Sequence, residues 1–220
     1  MRINKFVAQA SHLSRRKADQ AIASGQVLVN NQPPNLGQDI TATDVVTLRG
    51  QQLKTPVTNT TIVLNKPAGF VVSRDGQGGR TIYDLLPPEY QSLNPVGRLD
   101  KYSSGLLLLT NDGQLAQDLT HPSHQKVKIY EILLDKPLEP LHQQMISDYG
   151  VRLEDGPSKP QLERQIEGDD IAWIVTMSEG RNRQIRRTFD ALGYRVTHLH
   201  RTNFGPYVLD DLKPGKTRPV

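Results

Sequence analysis

Asp100 stands where an acidic side chain can do chemistry. It lies in Gly97-Arg98-Leu99-Asp100-Lys101-Tyr102-Ser103-Ser104-Gly105, directly before the run Leu106-Leu107-Leu108-Leu109. Four consecutive leucines read as a strand buried on both faces, so the carboxylate sits on a turn leading into a core element. Loops held by a rigid scaffold concentrate functional groups. Gly97 and Gly105 allow tight backbone geometry on either side. An ionised carboxylate held against a substrate can act as a nucleophile. Taken alone, an Asp in a turn is a structural residue, because its side chain bonds the nearby backbone; its neighbours have to decide the matter.

Other reactive groups are few, and they exclude classes. There is no cysteine, which removes disulfides, thiol nucleophiles, cysteine-ligated zinc and the zinc deaminases. His121/His124 and His198/His200 have no supporting carboxylate pattern, so they read as polar or capping residues and no metal site is expected. Pro214-Gly215-Lys216-Thr217 resembles the end of a P-loop, but Asp210 stands where the first glycine is required. Asp75-Gly76-Gln77-Gly78-Gly79-Arg80 reads as a surface loop. A carboxylate-based hydrolase of glycosidic bonds would need a second carboxylate as acid, and none stands at a motif.

These groups need elements to position them. Ile3, Phe6, Val7 and Ala10 fall at helical spacing. Ser11-His12-Leu13 interrupts, Ser14 caps a second helix carrying Ala18, Ala21 and Ile22, and Gly25 ends it. Val27-Leu28-Val29 and Val45-Val46-Thr47-Leu48 are short strands, with Asn30-Asn31 in a turn that tolerates positive φ. Residues 1–48 form this unit, 49–60 read as a flexible linker, and 61–220 as a larger domain. Its strands are expected at Thr61–Leu64, Gly69–Val72, Leu106–Leu109, Ile129–Leu134 and Ala172–Met177. Its helices are expected at Gln114–Leu119, Leu141–Ser147 and Arg183–Leu192, with the first capped from the turn Thr110-Asn111-Asp112-Gly113. The fold class is α+β: a helix–helix–strand unit joined to a mixed, mainly antiparallel sheet with flanking helices.

Charge points to a polyanion. The net charge is +4 and the isoelectric point about 9.3. Residues 1–49 hold Arg2, Lys5, Arg15, Arg16, Lys17 and Arg49 against Asp19, Asp39 and Asp44. Cations in the first turn of a helix oppose its dipole, and a phosphate partner offsets that cost. The alternative is a solvated charged face. No apolar run approaches the length of a membrane span, and no secretory signal is visible, so the cytoplasm is the expected compartment.

The string GRLDKYSSGLLLLTNDG resembles the central motif of the RNA pseudouridine synthases, in the branch that includes RsuA. Three further segments follow the family's pattern: Asn65-Lys66-Pro67-Ala68-Gly69, Lys128-Ile129-Tyr130-Glu131-Ile132, and Ser178-Glu179-Gly180-Arg181-Asn182-Arg183-Gln184-Ile185-Arg186-Arg187. The N-terminal unit resembles the ribosomal-protein-S-four-like RNA-binding domain through Arg2-Ile3-Asn4-Lys5-Phe6, Ser14-Arg15-Arg16-Lys17-Ala18 and Gly25-Gln26-Val27-Leu28-Val29-Asn30; Asn31 stands where that family usually has Gly.

The resemblance implies a cofactor-free isomerase that flips a uridine of ribosomal RNA, or of a ribosome-assembly intermediate, into a pocket. The large-subunit RNA is slightly favoured. It implies Asp100 as nucleophile, Tyr130 as the active-site tyrosine, and Arg186 paired with the aspartate. Arg98, Lys66, Ile185 and Arg183 are the implied substrate contacts. Arg2, Lys5, Ser14, Arg15, Arg16, Lys17 and Asn30 are the implied RNA contacts of the small domain. Burial under a base raises a carboxyl pKa from about 3.9, and an arginine fork opposes that and orients the group. A tyrosine face can stack on the base, at roughly 1–3 kcal/mol. No interface helix appears, so a monomer is expected. The rival reading is a non-catalytic RNA-binding or assembly factor; it explains the basic N-terminus but not Asp100, Tyr130 and Arg186 together.

Overall fold

The computed structural model describes residues 1–11, 13–54, 59–76 and 78–220. Positions 12, 55–58 and 77, which belong to the interruption, linker and surface loop read from the sequence, lie outside the described residues. The chain divides into two compact units, Met1–Asn59 and Thr60–Val220.

The first unit runs α1 (Ile3–Ser11), α2 (Arg15–Ala23), β1 (Val27–Val29), β2 (Val46–Leu48) and β3 (Gln51–Gln52). The apolar stripes of both helices close on the strands, with Ile3, Val7, Ala18, Ile22, Val27 and Val46 in one core. Ser14 accepts the Lys17 amide at 3.2 Å as the cap of α2, a contact worth about 1 kcal/mol. Asn30 and Asn31 hold φ of 51° and 65°, so the turn forms with Asn where the related domains place Gly. Residues 49–52 are not linker. Arg49 and Gly50, both at positive φ, join β2 to β3 in a two-residue hairpin with Leu48 opposite Gln51. This tight connection matches the twist of the flanking strands. Its polar strand carries no hydrophobic signal.

The second unit is built on one large sheet. Its strands are β4 (Thr61–Lys66), β5 (Asn94–Pro95), β6 (Ser104–Thr110), β7 (Lys128–Leu134), β10 (Gln161–Arg164), β11 (Ala172–Met177), β12 (Val196–Phe204), β13 (Tyr207–Val208) and β14 (Thr217–Pro219); β8 (Val151–Leu153) and β9 (Gly156–Ser158) pair separately. The helices are α3 (Gly113–Thr120), α4 (Pro140–Gln144), continued by a π-turn over Met145–Tyr149, and α5 (Gln184–Asp190). The order β10-β11-β7-β12-β6-β4-β14 is antiparallel throughout, except that β6 and β12 run parallel. Both faces are covered. Ile62, Leu64, Leu107 and Leu109 enter one core with Ile132, Trp173 and Phe189. Val63, Leu106 and Leu108 enter another with Leu119 and Phe204. The leucine run is therefore buried on both sides, as expected of it. Asp112 caps α3 by accepting the Gln114 and Leu115 amides.

Two departures bear on the site. The segment Gly69–Val72 is no strand: only the bridge Val71 to Thr81 forms. And β12, a nine-residue strand at the centre of the sheet, was not foreseen. At the β6–β12 seam Gly105 (φ +103°) faces Arg201, and a Cβ there would lie 2.2 Å from the Arg201 carbonyl oxygen. Only glycine fits that approach.

Candidate active site

Asp100 opens into a cleft of about 860 Å³. The turn that carries it is fixed from below. Lys66, at the end of β4, is fully buried, and its ammonium donates to the carbonyls of Ser103 (2.7 Å), Pro67 and Asp100 (3.1 Å each) and Lys101 (3.4 Å). Four carbonyl dipoles around one cation clamp the two ends of the Asp100 turn together. Burial brings the Lys66 pKa down to about 8, opposed by the Asp100 charge. Lys66, expected as a substrate contact, is not among the residues lining the cleft; its ammonium is taken up by carbonyl partners beneath the loop.

The arginines also divide differently from expectation. The ion pair to Asp100 comes from Arg183, whose Nη1 lies 3.6 Å from Oδ2. Arg183 occupies the left-handed region (φ 47°) just before α5, which directs it across the cleft. Arg186, 8% exposed, donates to the carbonyls of Val196 (2.5 Å) and Tyr102 (3.4 Å). It makes no ion pair with Asp100 among the described residues but feels its charge. Burial and then Arg183 lower the Arg186 pKa, while Asp100 raises it. Arg186 thus ties the Asp100 turn to the start of β12 and adds positive potential without touching the carboxylate.

Tyr130, buried on β7, and Ile185, buried at the start of α5, both line the cleft. Arg98 is exposed on its rim. Next to the motif glycine, Arg181 pairs with Asp155 at 2.7 Å, and Gln184 bonds Ser158 and Glu179; these contacts fix the loop before α5. The histidines hold local partners: His121 bonds Ser123 and His124 bonds the Asp118 carbonyl. No metal-binding cluster occurs among the described residues.

Two cleft residues, Lys128 and Arg201, escaped the sequence reading. Lys128 precedes Tyr130 by two on the same strand, which places both on one face; that spacing was the available signal. Arg201 pairs across strands with Tyr130, and nothing in the sequence announced its strand.

In the small unit, Arg15, Arg16 and Lys17 are exposed on the first turn of α2. Ser14 and Asn30 hold backbone instead: Asn30 accepts the Val45 amide at 2.9 Å and donates to Asp44 at 2.8 Å. Arg2 bonds the Gly37 carbonyl, and Lys5 lies half-buried on α1.

Comparison with known proteins fits this arrangement. The RNA pseudouridylate synthase model matches residues 60–191 and the S4 domain model residues 1–46. The chain is 37% identical to an uncharacterized RNA pseudouridine synthase of Aquifex aeolicus, covering all of this chain and 90% of that protein. It is 36% identical to ribosomal small subunit pseudouridine synthase A of Pasteurella multocida, covering 100% and 96%. It is 35% identical to ribosomal large subunit pseudouridine synthase B of Bacillus subtilis, covering 100% and 91%. A crystal structure of a pseudouridylate synthase superposes with a TM-score of 0.72 at 34% identity, over 100% of this chain and 96% of that one. Matched across both units in sequence and in fold, this chain belongs to the RNA pseudouridylate synthase family and carries an N-terminal S4 domain.

Proposed function

We propose that this enzyme isomerises a specific uridine of ribosomal RNA to pseudouridine without a cofactor, with Asp100 as nucleophile and large-subunit RNA as the first candidate substrate. The observation that carries the reading is the cleft, which is lined by Asp100, Tyr130 and Arg186 together and has room for an extruded nucleotide. Small-subunit RNA is the second candidate, since relatives of similar identity bear names for either subunit. Ribosomal RNA or an assembly intermediate is the partner. We expect a monomer working in the cytoplasm; no helix among the described residues is long and apolar enough to cross a membrane.

The chemistry follows from the placement. Flipping the uridine brings it over an ionised Asp100. The carboxylate acts as nucleophile as the C1′–N1 bond breaks; the uracil turns, its C5 bonds to C1′, the carboxylate is released, and the C5 proton is lost while N1 gains one, so no net atom is added or removed. Tyr130 stacks on the base and assists removal of the last proton. Arg183 pairs with Asp100 until RNA arrives; Arg186 supports the turn. Arg98 on the rim helps hold the flipped conformation.

The test incubates the protein with small- and large-subunit ribosomal RNA transcripts and maps pseudouridine by chemical labelling and primer extension. One modified position is expected in wild type. Asp100→Asn should lower product by at least about 10³-fold while RNA affinity stays within about threefold. An active Asp100→Asn variant would falsify the nucleophile assignment, and no new pseudouridine in either RNA would overturn the function.

A further inference from the structure

At the end of the cleft beside Tyr130, the wall is made of cations. Lys128 and Arg201 both line it, with Lys126 nearby. The β7–β12 register sets Arg201 against Tyr130 and Phe204 against Lys128. Both cations lie on the ring of Phe204, Arg201 at 4.9 Å and Lys128 at 5.4 Å from its centre.

Neither cation has an anionic mate of its own. Arg201 is 3% exposed and donates through Nε to the Leu106 carbonyl at 2.9 Å, while its buried Nη2 has no hydrogen-bond partner among the described residues. Lys128 donates to the carbonyls of Lys126 (3.0 Å) and Ser178 (3.5 Å). Burial and then Arg201 hold its pKa down, and only Glu179 pulls it up. Glu179 is itself engaged by Arg181 and Gln184. Two like charges held together in a partly dry wall are unfavourable alone. A dianionic or monoanionic oxygen group between them removes that cost and completes the open donors.

We infer that Lys128 and Arg201 form a phosphate subsite that grips a backbone phosphate directly flanking the flipped uridine. This rests on the reading of the cleft as the uridine site and names what the cations beside Tyr130 hold. The aromatic ring of Phe204 keeps both cations in place without neutralising them. A phosphate fixed there sets the ribose relative to Asp100, so the pair are positioning residues for the RNA.

The decisive variant is Lys128→Met, which keeps length and apolar stem while Arg201 retains its bond to Leu106. Binding to ribosomal RNA transcripts is measured from 50 to 300 mM salt. Affinity should fall about tenfold at 0.1 M, and the slope of log affinity against log salt should flatten by about one. Lys128→Arg should restore both. A short RNA spanning the mapped uridine, carrying a neutral methylphosphonate at each flanking position in turn, locates the contact. One position should weaken wild type about tenfold and leave Lys128→Met unaffected. Unchanged salt slope in a Lys128→Met protein with a wild-type melting temperature would overturn the subsite, as would methylphosphonate losses equal in both proteins. The binding slope needs no turnover, so it judges the subsite even where the product assay fails. Active wild type with an unaltered Lys128→Met variant would sink the subsite alone.

Discussion

Arg15, Arg16 and Lys17 of the small unit are exposed on one helical turn, whereas Lys66 and Arg186 of the larger unit are 0% and 8% exposed. The two groups share a charge and differ in what satisfies it. The exposed three are free to neutralise phosphates anywhere along an RNA surface, which gives affinity without sequence information. The buried ones are surrounded by carbonyls at fixed distances, so their charge is converted into the shape of the catalytic turn. Basic residues therefore cannot be ranked as RNA contacts by charge alone; the partners each one already holds separate grip from scaffold.

The comparison breaks most sharply at Arg186. Arg186→Ala removes the tie between the catalytic turn and β12 along with the local positive field. We expect kcat to drop about 10³-fold, near 4 kcal/mol, with RNA affinity little changed. Arg183→Ala should cost far less, since its guanidinium is half in solvent and screening weakens the pair. Single-turnover assays at saturating RNA compare the two. Equal losses would show that the direct ion pair, and not the buried tie, governs the aspartate.

Lys66→Met comes next. It leaves four carbonyls without their cation, and a loss of about 3 kcal/mol in the catalytic unit is expected. Urea unfolding measures it. The pH dependence has a definite sign. The folded pKa of about 8 lies below the ordinary 10.5, so between these values the unfolded chain binds the extra proton. Wild type should gain stability relative to Lys66→Met as pH rises from about 8 toward 10.5. A flat or falling difference over that window would contradict the burial of a charged Lys66.

The smallest effect belongs to the small unit. Replacing Arg15, Arg16 and Lys17 together by Ala should weaken RNA binding about 30-fold at 0.1 M salt and flatten the salt slope by two to three. kcat at saturating RNA should hold. A loss of kcat without a change in slope would place these residues in folding instead of grip.

How far the sequence carried the reading varies by element, for physical reasons. The Asp100 turn and the leucine strand were legible because their signal is contiguous: glycines, an acid and a run of large apolar residues in one stretch. The capped helices of the small unit were legible through Ser14 and Gly25. Strand β12 was not. Its buried positions include Val196, Leu199, Arg201 and Phe204, and register shifts at 196–198 and 201–203 break the two-residue period. An arginine in a core position then hides the rest. The exchange of roles between Arg183 and Arg186 depended on one left-handed residue, invisible in composition. Lys66 was legible as part of a motif, but its direction was not: a lysine reads as surface until its carbonyl partners are known.

The contact at Gly105 has a mechanical meaning. Its bare Cα lets β6, which continues from the catalytic turn, run against the backbone of Arg201 on β12. Asp100 and the basic residues beside Tyr130 are thereby mounted on adjacent rails with no hinge between them. Such a cleft works as a gauge of fixed span: the nucleotide must adapt to it, and the work of recognition falls on how readily the RNA can present a base at that separation.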